Sequence, residues 1–263
     1  MISSMVRRAG FGLFLALLLQ TPSLAQNGTS YVSRDGDDAE NCVNPANACR
    51  FLPKAYSVTD PGGNIFVLDS GTFLGTGLVI TKSISVIAVG VQAQFAGAGV
   101  QNKIVINAGP NETVLLDGLH VFGQNDANED YGILFNSGGR LHIRNCLING
   151  FRSAGINIDA QAPSEVIISD CTIADNRRGI LARKAGGSGQ VRVLLDNVTI
   201  SGNRLDGVRS TGAATHVRIN RSTIANNGTG QVSASNGRLI SLGNNVIRAN
   251  GTNGVPTHTE SLQ

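Results

Sequence analysis

The chain has 263 residues, of which 41% are hydrophobic, 15% charged and 5% aromatic, with 33 glycines, 7 prolines and no tryptophan. That length buries one substantial core or two small ones, and the low charge excludes a disordered chain or a long coiled coil. The formal net charge of +3 hides an asymmetry: residues 26–139 hold 5 Lys or Arg against 11 Asp or Glu, and residues from 140 onward hold 14 against 7.

Residues 1–25 read as a secretory signal peptide. Arg7 and Arg8 form a charged start, Ala9 to Leu19 is an unbroken apolar run too short to span a bilayer, and Ser23-Leu24-Ala25 offers small residues for cleavage near Ala25. The expected destination is therefore secreted or periplasmic. No other stretch is apolar enough for a membrane span, and no nucleic-acid partner is expected. Four cysteines fit an oxidising compartment. Cys42 and Cys49 close a short loop and are expected to be bridged. Residues 26–61 form an N-terminal cap in which Phe51, Leu52 and Ala55 have helical spacing, as for a short helix covering the open end of the downstream repeats.

From residue 112 the chain falls into similar lines. They include Val114–Val121, Leu141–Ile148, Val166–Ile173, Val193–Ile200, Val217–Ile224 and Ile240–Ile247, whose closing apolar residues lie 27, 25, 27, 24 and 23 residues apart. A glycine follows each of the last five, at Gly155, Gly179, Gly207, Gly230 and Gly254. A period in the twenties, with β-branched runs and no helical pattern, predicts a solenoid. The leucine-rich framework, the calcium nonapeptide and a propeller-length repeat are all absent. What fits is an all-β, right-handed parallel β-helix over residues 62–255, with three short strands per coil and a tail at 256–263. Stacking gives each column a meaning. Asn176, Asn203, Asn227 and Asn250 share one column and are expected to form an inward amide ladder. Cys146 and Cys171 share another and are expected to be buried free thiols, with a strained inter-coil disulfide as the alternative.

The opening segment carries a family likeness. Tyr31-Val-Ser-Arg-Asp-Gly-Asp-Asp, the cysteine loop, Arg50–Tyr56 and then Gly62-Gly-Asn-Ile with Gly71-Thr-Phe resemble the start of pectin-lyase-like right-handed β-helix proteins. With the repeats, the resemblance covers residues 31–255. It implies the fold and a structural turn at Asp37-Asp38. It does not choose an activity, because that superfamily holds lyases, hydrolases, epimerases, adhesins and tailspikes.

The familiar catalytic signatures are missing. There is no Gly-His-Gly, no Arg-Ile-Lys, no Asp-Pro-His and no paired Asp within the repeats. His120, His142 and His216 share no column and read as separate surface histidines. Asp175, Arg177 and Asp206, on adjacent coils, are the best acid–base candidates, although Asp206 and Arg178 also fit a plain inter-coil ion pair. Arg152, Arg177 and Arg204 stack in one column, with Arg183 and Arg209 on the following strand. Like charges at coil spacing repel, so the stripe either splays into water or meets an anion. An insertion at Gln124–Asp130 brings Asp126, Asn128, Glu129 and Asp130 together as possible oxygen ligands for Ca²⁺, with no cofactor otherwise implied. The leading expectation is an exported protein that binds an extended, anionic polysaccharide along its flank. A polysaccharide lyase or hydrolase is the alternative, and a structural or adhesive rod the third.

Overall fold

The structure is a computed structural model in which residues 27–73, 75–96, 101–124 and 130–260 are described. The expected leader at 1–25, and Asp126, Asn128 and Glu129 of the acidic insertion, lie outside the described residues.

The apolar alternation of each line becomes a short strand, and the turn residues between lines become corners. Among the described residues the strands stack into three parallel sheets of 10, 8 and 7 strands, here called A, B and C. One coil runs A, then B, then C, as in Arg140–Arg144, Leu147–Asn149 and Ala154–Ala160. The next coil pairs with it in parallel on all three sheets. The winding is right-handed, the hand that twisted parallel strands favour. A single strand of one coil cannot satisfy its own edge groups. Coil stacking satisfies them at about 4.8 Å per step.

The interior is a dry stack of aliphatic columns. Val121, Ile148, Ile173, Ile200 and Ile224 are fully buried on sheet B, as are Ile104, Ile133, Ile156, Ile180 and Val208 on sheet C. Cys146 and Cys171 stack as free buried thiols, with the Cys146 N–H donating to the Cys171 Sγ at 3.4 Å. Burial pushes the Cys146 thiol up, far from its reactive form.

The asparagine column turns the corner between sheets B and C. Each Oδ1 accepts from the preceding coil: Asn176 N donates to Asn203 at 3.1 Å, Asn203 N to Asn227 at 3.1 Å, and Asn227 N to Asn250 at 2.9 Å. The Nδ2 groups of Asn203, Asn227 and Asn250 donate to the carbonyls of Ile173, Ile200 and Ile224. Phe151 occupies the column at one end. At the other, Asn253 accepts from both Asn250 nitrogens and closes the ladder.

The N-terminal end is closed by helix Leu52–Val58, which buries Leu52 and Ala55. Cys42 and Cys49 form a disulfide, and Asp38 accepts the backbone N–H groups of Arg50 and Phe51. The cap is more deeply built into the solenoid than a boundary at residue 62 suggests. Its strand Asn27–Val32 is the first strand of sheet A, and the next, Thr59–Val67, starts before that boundary. The C-terminal tail is also more than an extension. His258–Thr259 pairs with Arg238–Ser241, and Thr252 bridges to Thr229, so the tail covers part of the last coil itself.

Candidate functional site

The corner column just beyond the asparagines carries the arginine stripe. The inward residue at each corner, Phe151, Asn176 or Asn203, is buried, and the arginine after it is exposed. Arg152, Arg177 and Arg204 are all exposed and line one cleft of about 420 Å³ with Asp130, Ser153 and Asp175. Among the described residues none of the three makes an ion pair or a side-chain hydrogen bond. Asp175 is exposed and likewise unpaired. Its backbone is left-handed, with φ of 55°, and its carboxylate lies over Gly202, where a side chain would collide with it. Asp130 is held at the rim, accepting from Gln101 Nε2 at 2.7 Å and Ser153 Oγ at 3.2 Å. The chemistry available is cation-rich: three guanidiniums face one free carboxylate.

The structure separates the acid–base candidates. Asp175 and Arg177 share the cleft, but Asp206 does not join them. Asp206 is 6% exposed and is clamped by Arg178 at 3.3 Å and Arg209 at 2.7 Å. It lies inside the wall, not on a solvated face, because it opens an inward-packed strand and needs two guanidiniums to offset its desolvation. Arg209 is thereby occupied, and Arg183 is bound to Asp159 at 2.5 Å. That hydrogen bond raises the Arg183 pKa further. Arg183 and Arg209 line a separate depression of about 330 Å³ with Tyr131 and Asn157. Of the five arginines in the expected binding set, three form the cleft and two brace sheet C.

No group of three or more His, Cys, Asp or Glu side chains suited to a metal occurs among the described residues. Of the possible Ca²⁺ ligands only Asp130 is described, and both its carboxylate oxygens are engaged.

A larger feature lies on the outer face of sheet A near the C-terminal end. A groove of about 980 Å³ is lined by Arg192, His216, Arg218, Arg238, His258 and Glu260, among others. His216 is not a surface histidine: it is 9% exposed, packed between Arg192 and Arg238 on neighbouring coils. Burial first, then the guanidiniums of Arg238, Arg218 and Arg192, hold its imidazole below the usual range, although the Ala213 carbonyl opposes them. Sequence reasoning missed this site, yet its signal was present. Arg140, Glu165, Arg192 and His216 each stand one residue before the first apolar position of a line and Arg238 two before it, and the strands pair them in that order.

Residues 164–262 match the family model described as right handed beta helix region. Among solved structures, the crystal structure of pectate lyase Pel9A superposes with a TM-score of 0.55 at 16% identity, covering 90% of this chain and 76% of that one. No curated protein sequence matches the chain. The coil order, the parallel pairing and these likenesses agree: the chain folds as a right-handed parallel β-helix, the fold it shares with that pectate lyase structure.

Proposed function

We propose that the protein binds an extended, anionic polysaccharide along its flank, with the cleft of Arg152, Arg177 and Arg204 as the contact site. One observation carries this reading: three guanidiniums on successive coils share one cleft, none of them in an ion pair among the described residues, and outnumber the carboxylates of Asp130 and Asp175 beside them. Their mutual repulsion is relieved by a row of carboxylates, and a guanidinium fork suits a carboxylate. The Cys42–Cys49 disulfide supports an exported protein. The likeness to a structure titled pectate lyase favours polysaccharide among ligand classes.

The test is retention on immobilised polygalacturonate at low salt. Charge reversal at Arg177→Glu with Arg204→Glu is expected to abolish retention and leave Tm nearly unchanged, since both side chains are exposed and unpaired. Equal retention of wild type and double variant defeats the reading. A second reading, a lyase, is favoured by Asp175 alone: an exposed carboxylate among guanidiniums can act as base while they neutralise the substrate's charge. Growth of unsaturated-product absorbance, lost in Asp175→Asn, would identify it.

A further inference from the structure

We infer that the sheet A groove between Arg192, His216, Arg218 and Arg238 is a binding site for a tetrahedral oxyanion, the sulfate or phosphate group of a ligand. This site is separate from the arginine stripe, which lies at the corner between sheets B and C, and the inference does not rest on the stripe's role.

The charge count selects the ligand. Three guanidiniums face the groove, and the carboxylate that also lines it, Glu260, is spent on Arg218 at 3.4 Å. The remaining charge matches a dianion. A single carboxylate supplies one negative charge and two acceptor oxygens, so it leaves a guanidinium uncompensated. A sulfate or phosphate supplies acceptors in several directions at once, which donors from different coils need. The donors do come from different coils. Arg192 lies on strand Val191–Asp196, His216 and Arg218 on Thr215–Asn220, and Arg238 on Arg238–Ser241, while His258 belongs to the last strand. Nothing on their inner side can move easily, because Val193, Val217 and Leu239 anchor the same strands in the core.

His216 makes the site sensitive to its occupant. The titratable and charged groups that line the groove with it are Arg192, Arg218, Arg238, His258 and Glu260; burial first, and then the guanidiniums among them, hold its imidazole below the usual range, with the Ala213 carbonyl opposing. A bound dianion reverses that field, favours the imidazolium and gains one further charged donor. Affinity for sulfate, whose charge stays fixed, therefore rises as pH falls, whereas phosphate takes up a proton of its own in that range.

The experiment uses the full chain at constant ionic strength. Sodium sulfate and inorganic phosphate are titrated against chloride, following the four histidines by ¹H–¹³C NMR and the heat by calorimetry. Dextran sulfate and polygalacturonate are compared in parallel. Sulfate or phosphate, but not chloride, is expected to shift one histidine, assigned to His216 by its loss in His216→Gln, and to raise its pKa. Arg192→Gln with Arg238→Gln is expected to weaken binding about tenfold or more, the scale of losing charge-assisted hydrogen bonds. Arg177→Glu with Arg204→Glu is expected to leave it unchanged. Free anions binding as well as dextran sulfate point to a free oxyanion; dextran sulfate binding far better points to an esterified glycan. Both outcomes support the site. It is overturned if chloride acts like sulfate, or if sulfate binding is lost in the Arg177/Arg204 variant and kept in the Arg192/Arg238 variant. Loss of polygalacturonate retention alone bears on the stripe and not on this groove.

Discussion

At the scale of single residues, the asparagine corner shows how one amide holds three coils. The Asn203 Oδ1 accepts both the N–H and the Nδ2 of Asn176, while its own Nδ2 reaches Asn227 Oδ1 at 2.8 Å and the Ile173 carbonyl at 3.2 Å. Leucine fills a similar volume but strands those partners in a dry corner. Asn203→Leu is expected to cost roughly 1–3 kcal/mol for each buried group left unpaired, read as a lower denaturant midpoint. Asn253, exposed at the ladder's end, is expected to matter far less on replacement by Ala. His142 and His216 give the pH dependence. Burial is the leading cause that holds both below the usual imidazole value of 6.5. In the unfolded chain they take up protons near that value, and in the folded chain only at lower pH. Between the two the unfolded state binds more protons, so stability falls as pH drops below about 6.5. Tm measured down that range should flatten in a His142→Gln, His216→Gln variant.

At the scale of the coil, the repeated glycine after each corner is required by close approach. A Cβ on Gly179 would sit 2.5 Å from the Gly207 carbonyl oxygen and 2.8 Å from Ile200 Cγ2, and one on Gly207 2.6 Å from the Gly230 carbonyl oxygen. Gly179→Ala must therefore open the stack, at an expected cost of about 1–3 kcal/mol; a Tm equal to wild type would show that the coils give way more easily than their contacts imply. Column logic explains what was legible in the sequence. Residues whose spacing from the anchor is constant, such as Cys146 with Cys171 and Asn176 with Asn203, and those that vary by one residue, such as the glycines, were readable because stacking forces equivalents into register. The direction of Asp206 was not, since its spacing shows a neighbour in Arg178 but not the second guanidinium of Arg209 that draws it into the wall. The sheet A groove was hidden for another reason. Its residues form a column just upstream of each apolar run, but one that mixes Arg, Glu and His, so no single residue type marks it, and the burial of His216 comes from neighbouring coils.

At the scale of the molecule, the basic distal half carries both cation-rich features, the cleft at the B–C corner and the groove on sheet A, while the acidic half holds the cap. The polarity favours approach of a polyanion toward the distal coils, an attraction that salt screens within about 10 Å at 0.1 M. The distal end must then stay ordered without a capping helix among the described residues, and the tail supplies the closure. Thr252 bridges Thr229, Asn253 ends the asparagine ladder, His258–Thr259 adds a strand beside Arg238–Ser241, and Glu260 reaches Arg218. In a solenoid each coil is stabilised only by its neighbours, so losing this closure should be felt locally and fade along the stack. Removal of residues 251–263 is accordingly expected to speed amide hydrogen exchange in Thr229–Ala234 and Arg238–Ser241, while Arg140–Arg144 and Ser164–Ser169 keep their protection. The same truncation should alter sulfate binding, because it removes His258 from the groove and frees Arg218 from Glu260, and leave the Arg152, Arg177 and Arg204 cleft intact. Uniform loss of protection along the rod would mean that the tail supports global folding and not a local end, and unchanged exchange in the last strands would mean that the final coil needs no closure.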